Sequence, residues 1–514
     1  FRTGHSQKYQ ASVRGGDEKT GFYISGSYQK DNGTVITNTV NKVNFKVNLD
    51  HQINKIFKVG TSLSYNRWYD VDITENSRNG VIMNAYLGSP VIGIYSDKGA
   101  FTVDPFYTDL DNPVALATGN EHSYINNRFT GNAFVEANIL PGLKFKSLFG
   151  YEKFNNQYRS FVDPFRTTEG RKYKGMATLQ QQDNQYWMSE NTLNYNRTFS
   201  DKHHFTGLLG YITTKTQTTT SNIATQNFAN PAIHTVNGGS MITAMPTAVD
   251  AAVSTVSGIA KIGYDYNDKY LFTANLRADA SSVFGPNNRW GYFPSFSAGW
   301  RLSNEDFFSS LKNTVNDLKI RASWGKVGNS QIPAFSYLGL VDVTGSYNIG
   351  DQVVPGYTPA TLDNPNLKWE TTNQTDIGVD ASFFNSRLIF GADYYAKRTV
   401  GLLLSSRVPY SSGYRTALKN LGDLQNRGFE FELSSRNFVH DFKWNTTVTF
   451  GLNRNKVLNI DGGTYYDGNI DGRGNSTIAK EGVALGSFWG YIAKGVNPET
   501  GDMIYQMTDP EAGL

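Results

Sequence analysis

The chain has 514 residues, a formal net charge of +3 and no cysteine. These values exclude disulfides, thiolate metal sites and cysteine catalysis, and the nearly balanced charge gives no support for a nucleic-acid partner. Aromatic residues make up 14% of the chain, beside 50 glycines. No run of about 18 apolar residues occurs, so a transmembrane helix is excluded, whereas a transmembrane barrel stays open because its strands are recognised by alternation.

Segments in which every second residue is apolar recur from the first residues onwards, and this period of two predicts β-strands with one apolar face. Roughly sixteen such strands are counted, and many approach the length of about nine to eleven residues that a tilted membrane strand needs. An all-β fold is therefore predicted. The clearest segments cover 9–14, 22–29, 43–50, 57–65, 129–137, 143–151, 192–199, 205–212, 257–266, 270–279, 375–383, 388–397, 427–435 and 442–453.

The stretch Thr375–Lys397 shows the pattern most clearly. Its alternation changes parity across Asn385–Ser386, so a tight turn there would pair Phe383 with Leu388 and place all the apolar side chains on one face. We expect this face to meet lipid and the opposite face, which carries Asp380, to line a polar lumen. The alternative is a soluble all-β protein with a two-layer core.

The connections between the predicted strands alternate between short turns and long loops. A sheet sorted in this way is an up-and-down meander, and outer-membrane barrels place their short turns in the periplasm and their long loops outside the cell. We therefore predict a transmembrane antiparallel β-barrel, with short helices within 76–88 and 304–317. The short turns lie near Asp17, Asn54, Pro141, Asp201, Asn267, Asn385 and Asn437, and the long loops cover 66–127, 213–256, 327–369 and 401–427.

Aromatic residues beside carboxylates are the candidate contacts for a bulky ligand, since they combine flat apolar faces with hydrogen-bond acceptors. The alternative is that these aromatics fix the loops or lie in the interfacial girdle of a barrel, which is also the expectation for Trp290, Tyr292 and Phe293. The candidate substrate-binding residues are Trp68, Tyr69, Asp70, Phe106, Tyr107, Tyr465 and Tyr466.

A calcium-loop pattern begins at Asp467 and continues through Asn469 and Asp471. The twelfth position holds Ile478, where such a loop requires a bidentate glutamate, so the three residues are only weak metal candidates and no metal is predicted. No nucleophile-elbow, zinc-protease or phosphate-loop motif occurs, and we expect neither catalysis nor a cofactor.

The block Ser257–Phe308 strongly resembles the SusC/RagA family of TonB-dependent outer-membrane transporters. The resemblance extends over most of the chain in the order of the family, so it is specific. Further matching blocks are Leu318–Asn329, Asn364–Asp380, Asn420–Leu433 and Gly486–Gln506.

The resemblance implies a barrel of about 22 strands that surrounds a plug. Residues 1–514, with roughly sixteen strands, would then be a partial barrel domain, and the plug and the TonB box are not in this sequence. One strand is expected to precede the first strand seen here, and about five are expected to follow the last one.

The resemblance further implies an importer in the cell outer membrane for a solute too large for porins, driven by TonB. Its partner would be a SusD-like surface lipoprotein that caps the long-loop end. A glycan is the first expectation for the cargo and a peptide the second. Two other functions remain open: a structural scaffold in a surface protein assembly, and an outer-membrane barrel enzyme.

Overall fold

The computed structural model describes residues 1–73, 80–107, 110–243, 245–460, 465–469 and 475–506. Within these ranges it consists mainly of antiparallel strands, which are numbered in chain order. They are β1 (His5–Gly16), β2 (Thr20–Asn32), β3 (Thr39–Gln52), β4 (Phe57–Asp72), β5 (Asn120–Leu140), β6 (Leu143–Val162), β7 (Met176–Phe199), β8 (His203–Phe228), β9 (Gly239–Ile242), β10 (Thr247–Tyr266), β11 (Tyr270–Ser281), β12 (Trp290–Arg301), β13 (Val315–Asn329), β14 (Val341–Ile349), β15 (Gln352–Pro359), β16 (Glu370–Phe383), β17 (Leu388–Val400), β18 (Leu403–Arg407), β19 (Thr416–Asn420), β20 (Asp423–Val439), β21 (Lys443–Asn459), β22 (Tyr465–Asn469), β23 (Asn475–Ala479), β24 (Ser487–Phe488), β25 (Ala493–Val496) and β26 (Met503–Tyr505).

The largest sheet holds 17 strands. One of them, β9, pairs only with the end of β8, and the other sixteen form a single meander in which each strand pairs antiparallel with the next long strand along the chain. The meander runs through β1–β8, β10–β13, β16, β17, β20 and β21. The predicted count and the predicted topology are both confirmed.

The connections are sorted by length, as predicted. At the short-turn end most of them have two to four residues: 17–19, 53–56, 141–142, 200–202, 267–269, 384–387 and 440–442. One connection at this end, 302–314, is longer and holds two 3-10 helices, Leu302–Asn304 and Asp306–Leu311. At the long-loop end the connections are 33–38, 73–119, 163–175, 229–246, 282–289, 330–369 and 401–422.

Two of the predicted loops were too long, because the strands continue into them. β4 and β5 occupy the ends of the predicted loop 66–127, and β8 and β10 occupy the ends of 213–256. β8 has 26 residues, which at ~3.3 Å per residue span about 85 Å, far more than an apolar membrane band of about 25 Å. Beyond the membrane both faces of a strand meet water, so alternation no longer marks it.

The two faces of the meander differ in chemistry. The outer face exposes large apolar side chains such as Phe272, Phe296 and Val448, each more than half exposed. The inner face is polar and carries Asp380 and Glu430. The predicted hairpin is confirmed, because Phe383 pairs with Leu388 and the turn between them is closed by a backbone hydrogen bond.

The compact apolar clusters of the described residues lie between loops and strand ends on the long-loop side, and no two-layer core fills the described part of the sheet. This arrangement argues against the soluble alternative. Phe293, which was expected in the girdle, is 7% exposed and packs edge-on against Trp369, whereas Trp290 and Tyr292 are exposed. The clusters are Val35, Ile73, Val81, Leu116 and Ala117; Phe161, Ala177 and Phe228; and Val283, Phe284 and Leu367.

Helices are few and short. α1 (Val81–Leu87) and the 3-10 helices within 302–311 confirm the two predicted sites, whereas α2 (Pro113–Gly119) and α3 (Thr168–Tyr173) were not predicted. Asn112 caps α2 by accepting hydrogen bonds from two backbone N–H groups. In the described ranges, none of the helices has the length and apolar character needed to span a membrane. The other 3-10 helices are Val236–Gly238, Pro286–Asn288 and Tyr410–Ser412.

Candidate ligand-binding site

Four aromatic side chains share the inner face of β4–β6 near the long-loop end and are called here the aromatic wall: Trp68, Tyr124, Phe154 and Tyr158. The strand register brings them together, since Tyr124 pairs with Asp70, the next inner-face residue after Trp68, and Tyr158 pairs with Tyr124. Side chains that are paired across antiparallel strands lie on the same face of the sheet. The wall therefore spans three adjacent strands.

The rings of the aromatic wall lie close to one another. Trp68 and Phe154 are stacked, with ring centroids 5.9 Å apart and planes inclined by 20°. Tyr124 and Tyr158 lie 4.9 Å apart, and the Tyr158 hydroxyl is 2.8 Å from Nδ1 of His122. Such contacts hold the rings in place, so the wall is a preformed apolar surface with polar edges.

Amide groups surround the wall on the same face. Asn126 pairs with Trp68 in the register, is 5% exposed and accepts a hydrogen bond of 2.6 Å from Asn156 Nδ2. Two oxygens, Asp70 Oδ1 and Asn184 Oδ1, are buried and have no hydrogen-bond partner among the described residues. Buried acceptors are normally satisfied, so these two atoms mark an incompletely paired part of the polar face.

The charged groups next to the wall comprise a close ion pair, a lysine and two carboxylates. Nη2 of Arg128 donates to both carboxylate oxygens of Glu152, each at 2.9 Å. Lys42 pairs with Trp68 in the register and carries a charge opposite to that of Asp70. Asp72, the next inner-face residue of β4, adds a second negative charge near Asp70, so the site does not attract anions.

The structure brings together some of the residues proposed from sequence and separates others. Trp68 and Asp70 share the inner face, but Tyr69 lies on the outer face because successive side chains of a strand alternate. Phe106 and Tyr107 are exposed in the loop between β4 and β5, where Asp104 accepts hydrogen bonds from their backbone N–H groups.

The remaining candidates belong to the last part of the chain. Tyr465, Tyr466, Asp467 and Asn469 lie on β22, for which the backbone alone is described, and Asp471 lies outside the described residues. In the described ranges, no three acidic or histidine side chains converge as metal ligands.

Sequence reasoning missed Tyr124, Phe154 and Tyr158. Tyr124 fell inside a predicted loop, and the other two lie in a polar extension of β6 that was not assigned to a strand. A signal was present, because His122, Tyr124, Asn126 and Arg128 occupy alternate positions that continue β5 backwards from its apolar part. These four residues share the inner face, and the alternation marks a strand even where neither face is apolar.

A second group of inner-face residues lies in the short-turn half of the meander. Arg321 on β13 contacts Asp380 on the adjacent β16 at 3.1 Å and Asp393 on β17 at 2.7 Å. Lys319 also contacts Asp380, at 2.9 Å. The three strands are thus connected by a network of ion pairs on the polar side.

The short-turn end carries a row of aromatic residues on the outer face. His203, Tyr266, Tyr270 and Trp300 are direct neighbours in the register. Glu305, in the 302–314 connection, accepts hydrogen bonds from the Tyr270 hydroxyl at 2.7 Å and from Trp300 Nε1 and Lys269 Nζ, each at 3.0 Å. These hydrogen bonds, that of Tyr270 first, lower the pKa of the Glu305 carboxyl from 4.5 to about 2.

An apolar outer face, a polar inner face, a girdle of aromatic residues and the sorting of the loops together define an outer-membrane β-barrel protein. A family model described as TonB dependent receptor-like, beta-barrel, matches residues 93–501. The chain belongs to this TonB-dependent receptor family and is a protein of the cell outer membrane, and SusC is among its relatives.

Relatives and solved structures agree with this assignment. The TonB-dependent receptor P3 of Formosa agariphila is 33% identical over 508 residues, which cover 96% of this chain and 50% of the relative. SusC of Bacteroides thetaiotaomicron is 28% identical over 562 residues, covering 99% of this chain and 53% of SusC. The chain thus spans about half the length of these relatives. The structure of the RagAB peptide transporter matches with a TM-score of 0.82 at 22% identity, covering 99% of this chain and 57% of its own, which shows the fold.

Proposed function

We propose that this chain forms part of the barrel of a TonB-dependent importer for a solute too large for general porins, with an oligosaccharide as the first candidate and a peptide as the second. Energy would reach the barrel from an inner-membrane TonB complex through a plug. The observation that carries the proposal is the polar inner face, which has the preformed aromatic wall near the long-loop end. Import by such a protein is a gating process and requires no covalent chemistry.

Two features of the long-loop end support a partner protein there. β7 and β8 extend far beyond the length needed to cross a membrane, and the loops contain compact apolar clusters of their own. The hairpin of β14 and β15 exposes Val353 and Tyr357, and a two-stranded hairpin is at best marginally stable alone in water. We propose a SusD-like surface lipoprotein as the partner that covers this end.

The test is to purify the full-length protein from native outer membranes in mild detergent and to identify the associated proteins and small molecules by mass spectrometry. We expect a stoichiometric lipoprotein together with a trapped oligosaccharide or peptide. A barrel that is isolated alone would contradict the partner. A barrel accompanied by many surface proteins and no lipoprotein would instead favour a structural scaffold.

A second measurement tests transport itself. Cells that express the full-length protein are expected to take up the co-purified solute only when TonB is present. A matched strain that lacks TonB serves as the control. Uptake that is equal in both strains would contradict active import.

A further inference from the structure

We propose that the aromatic wall, together with Asp70 and the amides around it, is a binding subsite for uncharged sugar rings. The inference rests on the proposed function, because it states where the imported solute is held and which chemical class fits there. It goes beyond the family assignment, since the residues concerned belong to the barrel strands of this chain.

The first argument is the shape of the surface. The wall covers three adjacent strands, which at ~4.8 Å between neighbours gives a face about 10 Å wide. A pyranose ring presents a flat side of C–H groups, and such a side packs against an aromatic ring as an apolar surface. Trp68 with Phe154, and Tyr124 with Tyr158, provide two neighbouring platforms of this kind.

The second argument is the pattern of hydrogen-bonding groups. Asn126, Asn156 and Gln182 form one row across β5, β6 and β7, and each amide supplies both donors and acceptors. Sugar hydroxyls also donate and accept, so they match such a row. The side chains of Asp70 and Asn184 add carboxylate and amide groups to the same face.

The third argument concerns charge. Arg128 is engaged by Glu152, and Lys42 stands beside two carboxylates, those of Asp70 and Asp72. An acidic sugar or an acidic peptide would approach these carboxylates and lose hydration without gaining an unpaired cation. The amides, hydroxyls and rings therefore favour an uncharged oligosaccharide over an acidic sugar and over an acidic peptide.

The experiment measures equilibrium binding of the purified full-length protein, with its lipoprotein if one co-purifies, to three sets of probes. These are neutral oligosaccharides derived from α-glucan, β-glucan, xylan and mannan, acidic oligogalacturonates, and a pool of charged oligopeptides. We expect at least one neutral oligosaccharide to bind. We expect Trp68→Ala to weaken that binding at least about tenfold.

The strand itself offers a matched control. Tyr69→Ala removes an aromatic ring from the adjacent residue but on the opposite face, and should leave affinity within about twofold of the wild type. Trp68→Phe keeps an aromatic platform and should retain most of the affinity, which separates loss of the ring from misfolding. Comparable losses in Trp68→Ala and Tyr69→Ala would overturn the proposal, as would binding confined to acidic sugars or peptides, or to no probe at all.

Uptake distinguishes failure of the subsite from failure of import. If TonB-dependent uptake proceeds and Trp68→Ala binds as tightly as the wild type, the subsite is wrong and import stands. If the neutral sugar binds through Trp68 but its uptake does not depend on TonB, import is wrong and the subsite stands.

Discussion

Arg321 on β13 and Asp393 on β17 form two contacts of 2.7 Å although β16 lies between their strands. Both residues stand opposite Gly378 in the register, and the guanidinium crosses β16 over this glycine. A Cβ at position 378 would lie 2.8 Å from Arg321 Cζ and closer still to the Asp393 carboxylate. Three strands are therefore joined on the inner face only because the middle strand has no side chain there.

Gly378→Ala should break this contact and destabilise the barrel by at least about 1 kcal/mol, because the arginine would have to move away and leave the Asp393 carboxylate without its fork of donors. The measurement is the unfolding midpoint of the full-length protein in detergent. Gly391→Ala is the control, since a Cβ at this inner-face position of β17 would meet no atom within 4 Å. Equal midpoints for the two variants would contradict the role of Gly378.

The lowered pKa of Glu305, at the short-turn end, predicts that the stability of the folded protein depends on pH. Its pKa is lowered from 4.5 to about 2, so the folded state favours the charged carboxylate, and the stabilisation is present above pH 4.5 and lost as the pH falls through about 2. Glu305→Gln should reduce stability at neutral pH and make the loss between pH 4.5 and 2 shallower. Unfolding midpoints recorded against pH test this. Asp306→Asn, at a fully exposed neighbour, should leave the profile nearly unchanged.

Leu276 tests the assignment of the outer face to lipid. It is nearly half exposed on β11, six residues beyond Tyr270 in the aromatic row. Leu276→Lys should cost about 2–4 kcal/mol if the side chain faces the middle of the bilayer. Yield in the outer membrane and unfolding in lipid vesicles are the readouts. Asn275→Lys, the adjacent inner-face position, is the control, and similar losses for both would argue against the assignment.

The loops at the long-loop end should be held by their own apolar cluster. Phe293→Ala removes a buried ring that packs against Trp369 and should destabilise this region by about 3–5 kcal/mol. Limited proteolysis should then cut the 282–289 and 330–369 connections faster. Tyr292→Ala, at an exposed outer-face position, should leave the cleavage rate unchanged. Unaltered proteolysis of Phe293→Ala would show that the cluster does not hold the loops.

The sequence alone determined the class of fold. Alternation identified the strands where one face is apolar, and the pairing of Phe383 with Leu388 followed from parity across a tight turn. The alternation of short and long connections predicted the meander, because the length of a connection can be estimated from the sequence without knowledge of packing. Alternation, turn parity and connection length can each be recognised in short segments of the sequence, without contacts between distant residues.

The tertiary structure decided which residues form the candidate site. Trp68 and Tyr69 are equivalent in a linear reading, yet only Trp68 lies on the inner face, and its neighbours Tyr124 and Phe154 are 56 and 86 positions away. Arg321 and Asp393 meet only through the glycine between their strands. Such contacts depend on register between distant strands, and register is set by the whole sheet, because a slip of one residue would move every side chain to the other face.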